Sequence, residues 1–100
     1  MWYFPKSSTF AKKMNVCNMK TKERLQRDTA LVLRSLRTKK SKEEDVNLTQ
    51  ADIAYDAGIS VRYYNKLENA KTIPTIDTLM KIAGTYKMSL SDICKQIEEY

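Results

Sequence analysis

One glycine that divides two short helical patterns constrains this fold more than any other feature of the sequence. Thr49 and Asp52 stand three residues apart, the spacing at which each side chain caps the backbone amide of the other at the start of a helix. Gly58 supplies the left-handed conformation that ends this helix, and Ser60 is a typical cap for the next. Ala54 provides the small side chain that two steeply crossing helices need where they meet.

Three further segments carry apolar residues at helical spacing, so the sequence predicts five helices and no strand. Two glycines and two prolines in 100 residues are too few for the tight turns of a β fold, which favours the all-α class. The first helix is predicted from a cap at Thr21 to about Thr38, followed by a polar loop over residues 39–47. The predicted inward residues of the last three helices are Val61, Tyr64 and Leu67; Ile76, Leu79, Met80 and Ala83; and Leu90, Ile93, Cys94 and Ile97.

Positive charge is concentrated in the first part of the chain. Residues 1–42 hold twelve Lys and Arg against two acids, whereas residues 43–100 hold six against ten. This asymmetry indicates a polyanionic partner, nucleic acid first and an anionic membrane surface second, although a basic chain also gains solubility from its charge alone. Residues 1–20 show no sustained periodicity and are predicted to be a basic arm outside the core, with the domain at residues 21–100.

No arrangement of residues suggests catalysis or metal binding. The chain has no histidine, and Cys17 and Cys94 form no closely spaced pair, so we expect no metal site, no cofactor and no enzyme activity. The apolar start is too short for a signal peptide, and no segment is long enough to cross a membrane. The prediction is a cytoplasmic protein with free thiols.

The outer side of the third helix is polar and suits the reading of bases. Arg, Asn and Lys side chains offer the donors and acceptors that base edges in the major groove require. An ordinary helical hairpin with no role in DNA binding has the same spacing, so this alternative stays open at this point. The outward residues are Arg62, Tyr63, Asn65, Lys66 and Asn69.

Several spaced motifs carry a family resemblance. They are LRSLR at 33–37, LTQADIA at 48–54, AGIS at 57–60, YNKLENAK at 64–71 and PTIDTLMKIA at 74–83. Together they cover about residues 25–97 and resemble the phage repressor/Cro-like (Xre) helix-turn-helix family. The resemblance implies a five-helix repressor-like domain with the helix-turn-helix at helices 2 and 3. It also implies binding to a double-stranded DNA operator, usually as a two-fold homodimer.

The resemblance further implies roles for individual residues. The implied base contacts are Val61, Arg62 and Lys66, with Tyr63 and Asn65 as helpers. The implied phosphate contacts are Gln50, Ser60, Asn69, Lys71 and Thr72. Arg37 and Glu68 match a family pair that forms a salt bridge beneath the third helix, which gives them a structural role.

Three departures from the family pattern affect local geometry. The loop after the first helix carries an insertion at about residues 41–46. Ala70 stands where the family has a glycine, so Asn69 is expected to take the left-handed conformation itself. Lys87 replaces the glycine after the fourth helix, while Gly84 lies inside that helix.

The expected function is sequence-specific regulation of transcription, most simply repression by occupancy of an operator. An antitoxin-type protein that binds a partner toxin, a controller of a restriction-modification operon and a membrane-surface protein are the alternatives. Polymerase is a further candidate protein partner. The expected dimer contacts are the exposed parts of Leu90, Ile97 and Tyr100.

Overall fold

The computed structural model describes residues 20–100, which form five α-helices and no strand. The helices are α1 (Lys22–Glu44), α2 (Gln50–Ala57), α3 (Val61–Glu68), α4 (Ile76–Thr85) and α5 (Leu90–Glu99). The predicted all-α, five-helix class is therefore confirmed for this part of the chain. The predicted arm lies outside the described residues except for Lys20, and so does Cys17. No helix in residues 20–100 is both long and apolar enough to cross a membrane.

Every helix begins at a residue whose side chain accepts a hydrogen bond from a backbone amide in the first turn. At α1, for example, the Thr21 hydroxyl accepts from the Arg24 amide at 3.1 Å. Such a cap stabilises a helix by about 1 kcal/mol, because it satisfies an amide that the helix itself leaves without a partner. The capping residues are Thr21, Thr49, Ser60, Thr75 and Ser89, and the second and last of these form capping boxes with Asp52 and Asp92.

The core places α3 between two other helices. α1 packs against α3 and α5, α2 packs against α3 and α4, and α4 packs against α5. Because α3 is covered by α1 and α2, its remaining side faces away from the protein. The largest fully buried apolar side chains are Tyr64, Leu33, Ile53, Leu67, Ile82, Ile93 and Val32.

The predicted end of the first helix at Thr38 is wrong, because α1 continues to Glu44. The residues after Thr38 lack an apolar face, but Lys and Glu favour the helix by themselves. Lys40 and Glu44, four residues apart, add an ion pair at 2.8 Å. Asp45, in the left-handed conformation, then ends α1. Most of the insertion therefore lengthens a helix, and the polar loop is shorter than predicted.

Two residues of α4 that were predicted to be buried are exposed. Ile76 is 67% exposed and Met80 is 56% exposed. They lie one turn apart, outside the face that α4 presents to α2 and α5, which is formed by Thr78, Leu79, Ile82, Ala83 and Thr85. Thr78 and Thr85 are buried on this face although they are not apolar, so a pattern of apolar residues alone predicted the wrong face. Cys94 is only partly buried against the core.

The end of α3 also differs from the prediction. Asn69 keeps an ordinary φ of −97°, whereas Ala70 takes the left-handed conformation with φ of 59°. Lys87 does the same after α4, with φ of 56°. A residue with a Cβ atom is strained in this region, typically by about 1–2 kcal/mol. Both positions at which the family pattern has a glycine are thus left-handed, although neither residue is a glycine.

The two glycines should respond in opposite ways to substitution by alanine. Gly58 has φ of 75°, so we expect Gly58→Ala to lower the free energy of unfolding by about 1 kcal/mol. Gly84 lies inside α4, and nothing would touch an added Cβ atom within 4 Å. Gly84→Ala should therefore raise the free energy of unfolding by about 0.5–1 kcal/mol. Urea denaturation of both variants measures the difference, and changes of the same sign would contradict this account.

Candidate nucleic-acid interface

The turn between α2 and α3 is closed by backbone hydrogen bonds around Gly58. The Gly58 amide donates to the Tyr55 carbonyl at 3.2 Å, and the Ile59 amide donates to the Ala54 carbonyl at 3.0 Å. Ala54 is completely buried, as expected for a small residue at the point where two helices approach. The turn therefore fixes the direction in which α3 leaves α2.

α3 has one buried side and one exposed side. Tyr64, Leu67 and Glu68 are buried, while Arg62 and Lys66 are exposed. The last two lie four residues apart and so on one face of the helix. Val61 was predicted both as an inward residue and as a base contact. It is 43% exposed, so the inward prediction is wrong: Val61 is the first residue of α3, and the buried side begins at Tyr64. Tyr63 and Asn65 are half-buried, and Tyr63 packs against the core.

The first turn of α3 carries the cap that the sequence predicts. The Ser60 hydroxyl oxygen accepts from the Tyr63 amide at 3.1 Å. The hydroxyl hydrogen remains able to donate, and the positive end of the helix dipole lies at the same point. Both features favour an anionic group at this end of the helix.

A buried carboxylate fixes α3 to the rest of the protein. The Arg37 guanidinium binds Glu68 through two hydrogen bonds, Nε to Oε2 at 3.0 Å and Nη2 to Oε1 at 2.9 Å. The Arg37 Nη1 atom also donates to the Leu48 carbonyl at 3.1 Å. The Glu68 side chain is fully buried, so its charge depends on these protein partners.

Gln50, at the start of α2, belongs to the same cluster. Its Nε2 atom donates to Glu68 Oε1 at 2.8 Å. The amide nitrogen of a glutamine carries two hydrogens, so one remains for a partner outside the cluster. The residue predicted to hold a phosphate is thus also tied to the buried carboxylate.

Burial by itself would raise the pKa of the Glu68 carboxyl. Hydrogen bonds from Arg37 and Gln50, with the charge of Arg37, outweigh burial and hold this pKa below its ordinary value. Burial also raises the pKa of the nearby Tyr64 hydroxyl and brings the pKa of Tyr86 to about 12. Glu68 is therefore ionised and both tyrosines are neutral across the physiological range.

The loop after α3 is held by backbone hydrogen bonds. The Ala70 amide donates to the Leu67 carbonyl at 3.3 Å, and the Lys71 amide donates to the Lys66 carbonyl at 2.9 Å. Lys71 is exposed and Thr72 is half-buried beside it. The structure thus places three of the predicted phosphate residues, from Asn69 to Thr72, on one short loop at the end of α3.

Sequence reasoning missed Arg34 at this loop. Its Nε atom donates to the Glu68 carbonyl at 3.1 Å, and its Nη2 atom donates to Asn69 Oδ1 at 3.2 Å. The only signal in the sequence is its place one turn before Arg37 on α1, which puts both arginines on the side facing α3. In residues 20–100 no group of His, Cys, Asp and Glu side chains is arranged to hold a metal ion.

Comparisons with known proteins agree with this geometry. Residues 39–93 match the family model described as Helix-turn-helix, which is more than half of the chain. The cryptic phage CTXphi transcriptional repressor RstR of Vibrio cholerae is 39% identical over 49 residues, which are 49% of this chain and 44% of that protein. The HTH-type transcriptional regulator DdrOP3 of Deinococcus deserti is 37% identical over 57 residues, which are 57% of this chain and 44% of that protein. No solved structure matches the chain in this comparison.

The fold and the site define a helix-turn-helix domain with an exposed second helix. The chain belongs to the Cro/Xre-like helix-turn-helix family, as its motifs predicted, and this family is one of DNA-binding regulators, not of enzymes. The aligned segments span less than half the length of the two curated relatives.

Loss of Arg37 should destabilise the whole domain, because it leaves the fully buried Glu68 carboxylate with only the longer ion pair to Arg34, at 4.0 Å. We expect Arg37→Ala to lower the free energy of unfolding by about 3–5 kcal/mol. Lys81→Ala, which breaks the exposed ion pair with Asp77 at 3.1 Å, is the matched control and should change it by less than about 1 kcal/mol. If urea denaturation shows the same loss of unfolding free energy in both variants, the buried pair of Arg37 and Glu68 contributes no more to stability than an exposed pair.

Acid should weaken the fold through Glu68. The folded-state pKa of this carboxyl lies below its ordinary value of 4.5, so its stabilising contribution is complete above pH 4.5 and is lost as the pH falls through the folded-state value. Urea denaturation between about pH 3 and 7 should therefore show a smaller loss of stability in Glu68→Gln than in the wild type. Identical pH profiles would assign the acid loss to other carboxylates.

Proposed function

We propose that this protein binds a specific double-stranded DNA site as a homodimer and represses transcription by occupying an operator. The observation that carries this proposal is the exposed face of α3. Arg62 and Lys66 project from a helix whose opposite side is fixed to the core by Tyr64, Leu67 and the Glu68 cluster. A rigid helix with exposed polar side chains is the element that enters a major groove.

The residues that contact bases lie mainly in the first half of the exposed face of α3. Arg62 suits the two acceptors of guanine, O6 and N7, and Val61 suits the methyl group of thymine. Lys66 extends the contacts by one helical turn. Tyr63 and Asn65 have less exposed surface to offer, so we assign them a supporting role.

Phosphate contacts surround the base contacts on both sides. Ser60 lies at the start of α3. At the start of α2, the remaining Nε2 hydrogen of Gln50 can donate to a second phosphate. Asn69, Lys71 and Thr72 follow the end of α3. Such contacts position the helix in the groove without reading sequence.

The named relatives support regulation of transcription, since one is a phage transcriptional repressor and the other an HTH-type transcriptional regulator. A dimer would place two copies of α3 about 34 Å apart, in successive major grooves. Of the predicted dimer contacts, Tyr100 is 58% exposed and Leu90 is half-buried, whereas Ile97 is 6% exposed and offers little surface. A regulator of this kind acts in the cytoplasm, beside the DNA. Nothing in residues 20–100 favours the toxin-binding or membrane-surface alternatives.

Selection of bound sequences from a random duplex library tests base reading. Wild-type protein should select one motif with two-fold symmetry. Arg62→Ala should lose preference at one base pair of each half-site, by about 1–3 kcal/mol of discrimination. Lys95→Ala, which removes an exposed lysine of α5, is the control and should select the wild-type motif. An Arg62 variant with unchanged preference would remove Arg62 from the base-reading set.

Salt dependence tests the phosphate contacts. With about six to ten phosphates bound across the dimer, the logarithm of the association constant should fall with the logarithm of salt concentration at a slope near −5 to −9. Lys71→Ala should make this slope less steep by about one for each protomer and weaken all duplexes alike. A slope near zero for the wild type would contradict binding to the DNA backbone.

A further inference from the structure

We propose that Arg34 is a positioning residue for DNA binding, which orders the loop after α3 and does not itself bind the DNA. This inference rests on the proposed function. It concerns the two groups to which the Arg34 guanidinium donates hydrogen bonds, the Glu68 carbonyl and Asn69 Oδ1. Arg34 Nε also lies 4.0 Å from Glu68 Oε1, a longer ion pair. Neither the family resemblance nor the sequence pattern assigns Arg34 a role.

The need for such a residue follows from the end of α3. The helix ends on carbonyl groups that the helix itself leaves without partners, and Ala70 takes a left-handed conformation that is strained for any residue with a Cβ atom. A glycine at this position would close the turn by itself. Here the backbone hydrogen bonds of Ala70 and Lys71 close the turn against this strain, and contacts from Arg34 add to them.

Arg34 supplies those contacts from α1, across a gap in sequence of more than thirty residues. Its Nε atom binds the backbone of the last residue of α3, and its Nη2 atom binds the side chain of the next residue. A planar guanidinium fixes two acceptors in one orientation, which an ammonium group does not do. The positive charge also lies at the negative end of the α3 dipole, where it is favourable.

The consequence for DNA binding falls on Lys71. Its amide donates to the Lys66 carbonyl, so the Lys71 backbone is part of the turn that follows Asn69. If Arg34 releases Asn69, this turn loosens and Lys71 no longer meets the phosphate in a fixed place. The effect of Arg34 on affinity therefore passes through the loop.

The cleft beside the loop offers a matched control. Arg27 and Arg34 both line it together with Leu31, Asn69 and Ala70, and the two arginines are separated by two turns of α1. Arg27 is exposed and makes no hydrogen bond to the loop, so it shares the charge of Arg34 without its contacts.

The test measures binding of the full chain to its selected duplex. We expect Arg34→Ala to bind about tenfold more weakly. Arg34→Lys, which keeps the charge but not the two-point geometry, should be nearly as weak, and Arg27→Ala should bind within about twofold of the wild type. In a Lys71→Ala background, Arg34→Ala should have little further effect, since the two residues act as one unit.

Amide hydrogen exchange without DNA provides a second readout. The Lys71 amide should exchange faster in Arg34→Ala and Arg34→Lys, while amides in the middle of α4 exchange at the wild-type rate. Wild-type affinity in Arg34→Lys would show that the charge acts on DNA directly and would overturn the proposal. Additive effects of Arg34→Ala and Lys71→Ala on affinity would overturn it as well. If the wild type binds the duplex and Arg34→Ala binds it equally well, this inference is wrong but the proposed function stands. Absence of duplex binding by the wild type defeats the proposed function and this inference with it.

Discussion

The ionised carboxylate of Glu68 is the group on which the arrangement of this domain depends. It is fully buried at the end of α3, and α1 and α2 reach it through Arg37 and Gln50. An isolated charge in such a place would be very unfavourable, so the three helices have few alternative arrangements that keep it paired. Apolar contacts of Tyr64 and Leu67 give α3 its affinity for the core, but they tolerate small shifts. The ion pair removes that freedom and fixes the face that α3 exposes.

The same cluster joins the proposed phosphate-binding residues on the two sides of α3. Gln50 touches the buried carboxylate from the start of α2, while Arg34 touches the backbone of the same glutamate from α1. The residues proposed to bind phosphate before and after α3 are therefore anchored to a single residue, Glu68. A helix fixed at both of its ends holds Arg62 and Lys66 in a constant position relative to the proposed phosphate-binding residues. Specific recognition requires this constancy, because hydrogen bonds to base edges lose strength rapidly with misalignment.

Most of the fold was predictable because its determinants are local. Caps, the glycine turn and the apolar spacing of α2 and α3 depend on residues close together in sequence, and the structure has each of them except a buried Val61. The length of α1 was not predictable from an apolar pattern, since its last turns rest on helix propensity and an ion pair. Ile76 and Met80 were misplaced because buried threonines occupy part of the inner face of α4. Arg34 was missed because its partners are a backbone carbonyl and an amide oxygen more than thirty residues away, and such acceptors leave no pattern in a sequence.

Three helices of this domain are followed by a left-handed residue that is not a glycine: Asp45, Ala70 and Lys87. Each holds a small amount of backbone strain, against a total stability that for a domain of this size is only about 5–15 kcal/mol. The protein is therefore less stable than its fold allows. Single substitutions at helix ends can raise the free energy of unfolding without changing the core or α3. Asp45 and Lys87 lie outside α3 and the loop that follows it, so evolution or engineering can change the stability of the protein at these two positions while leaving the proposed DNA-binding residues unchanged.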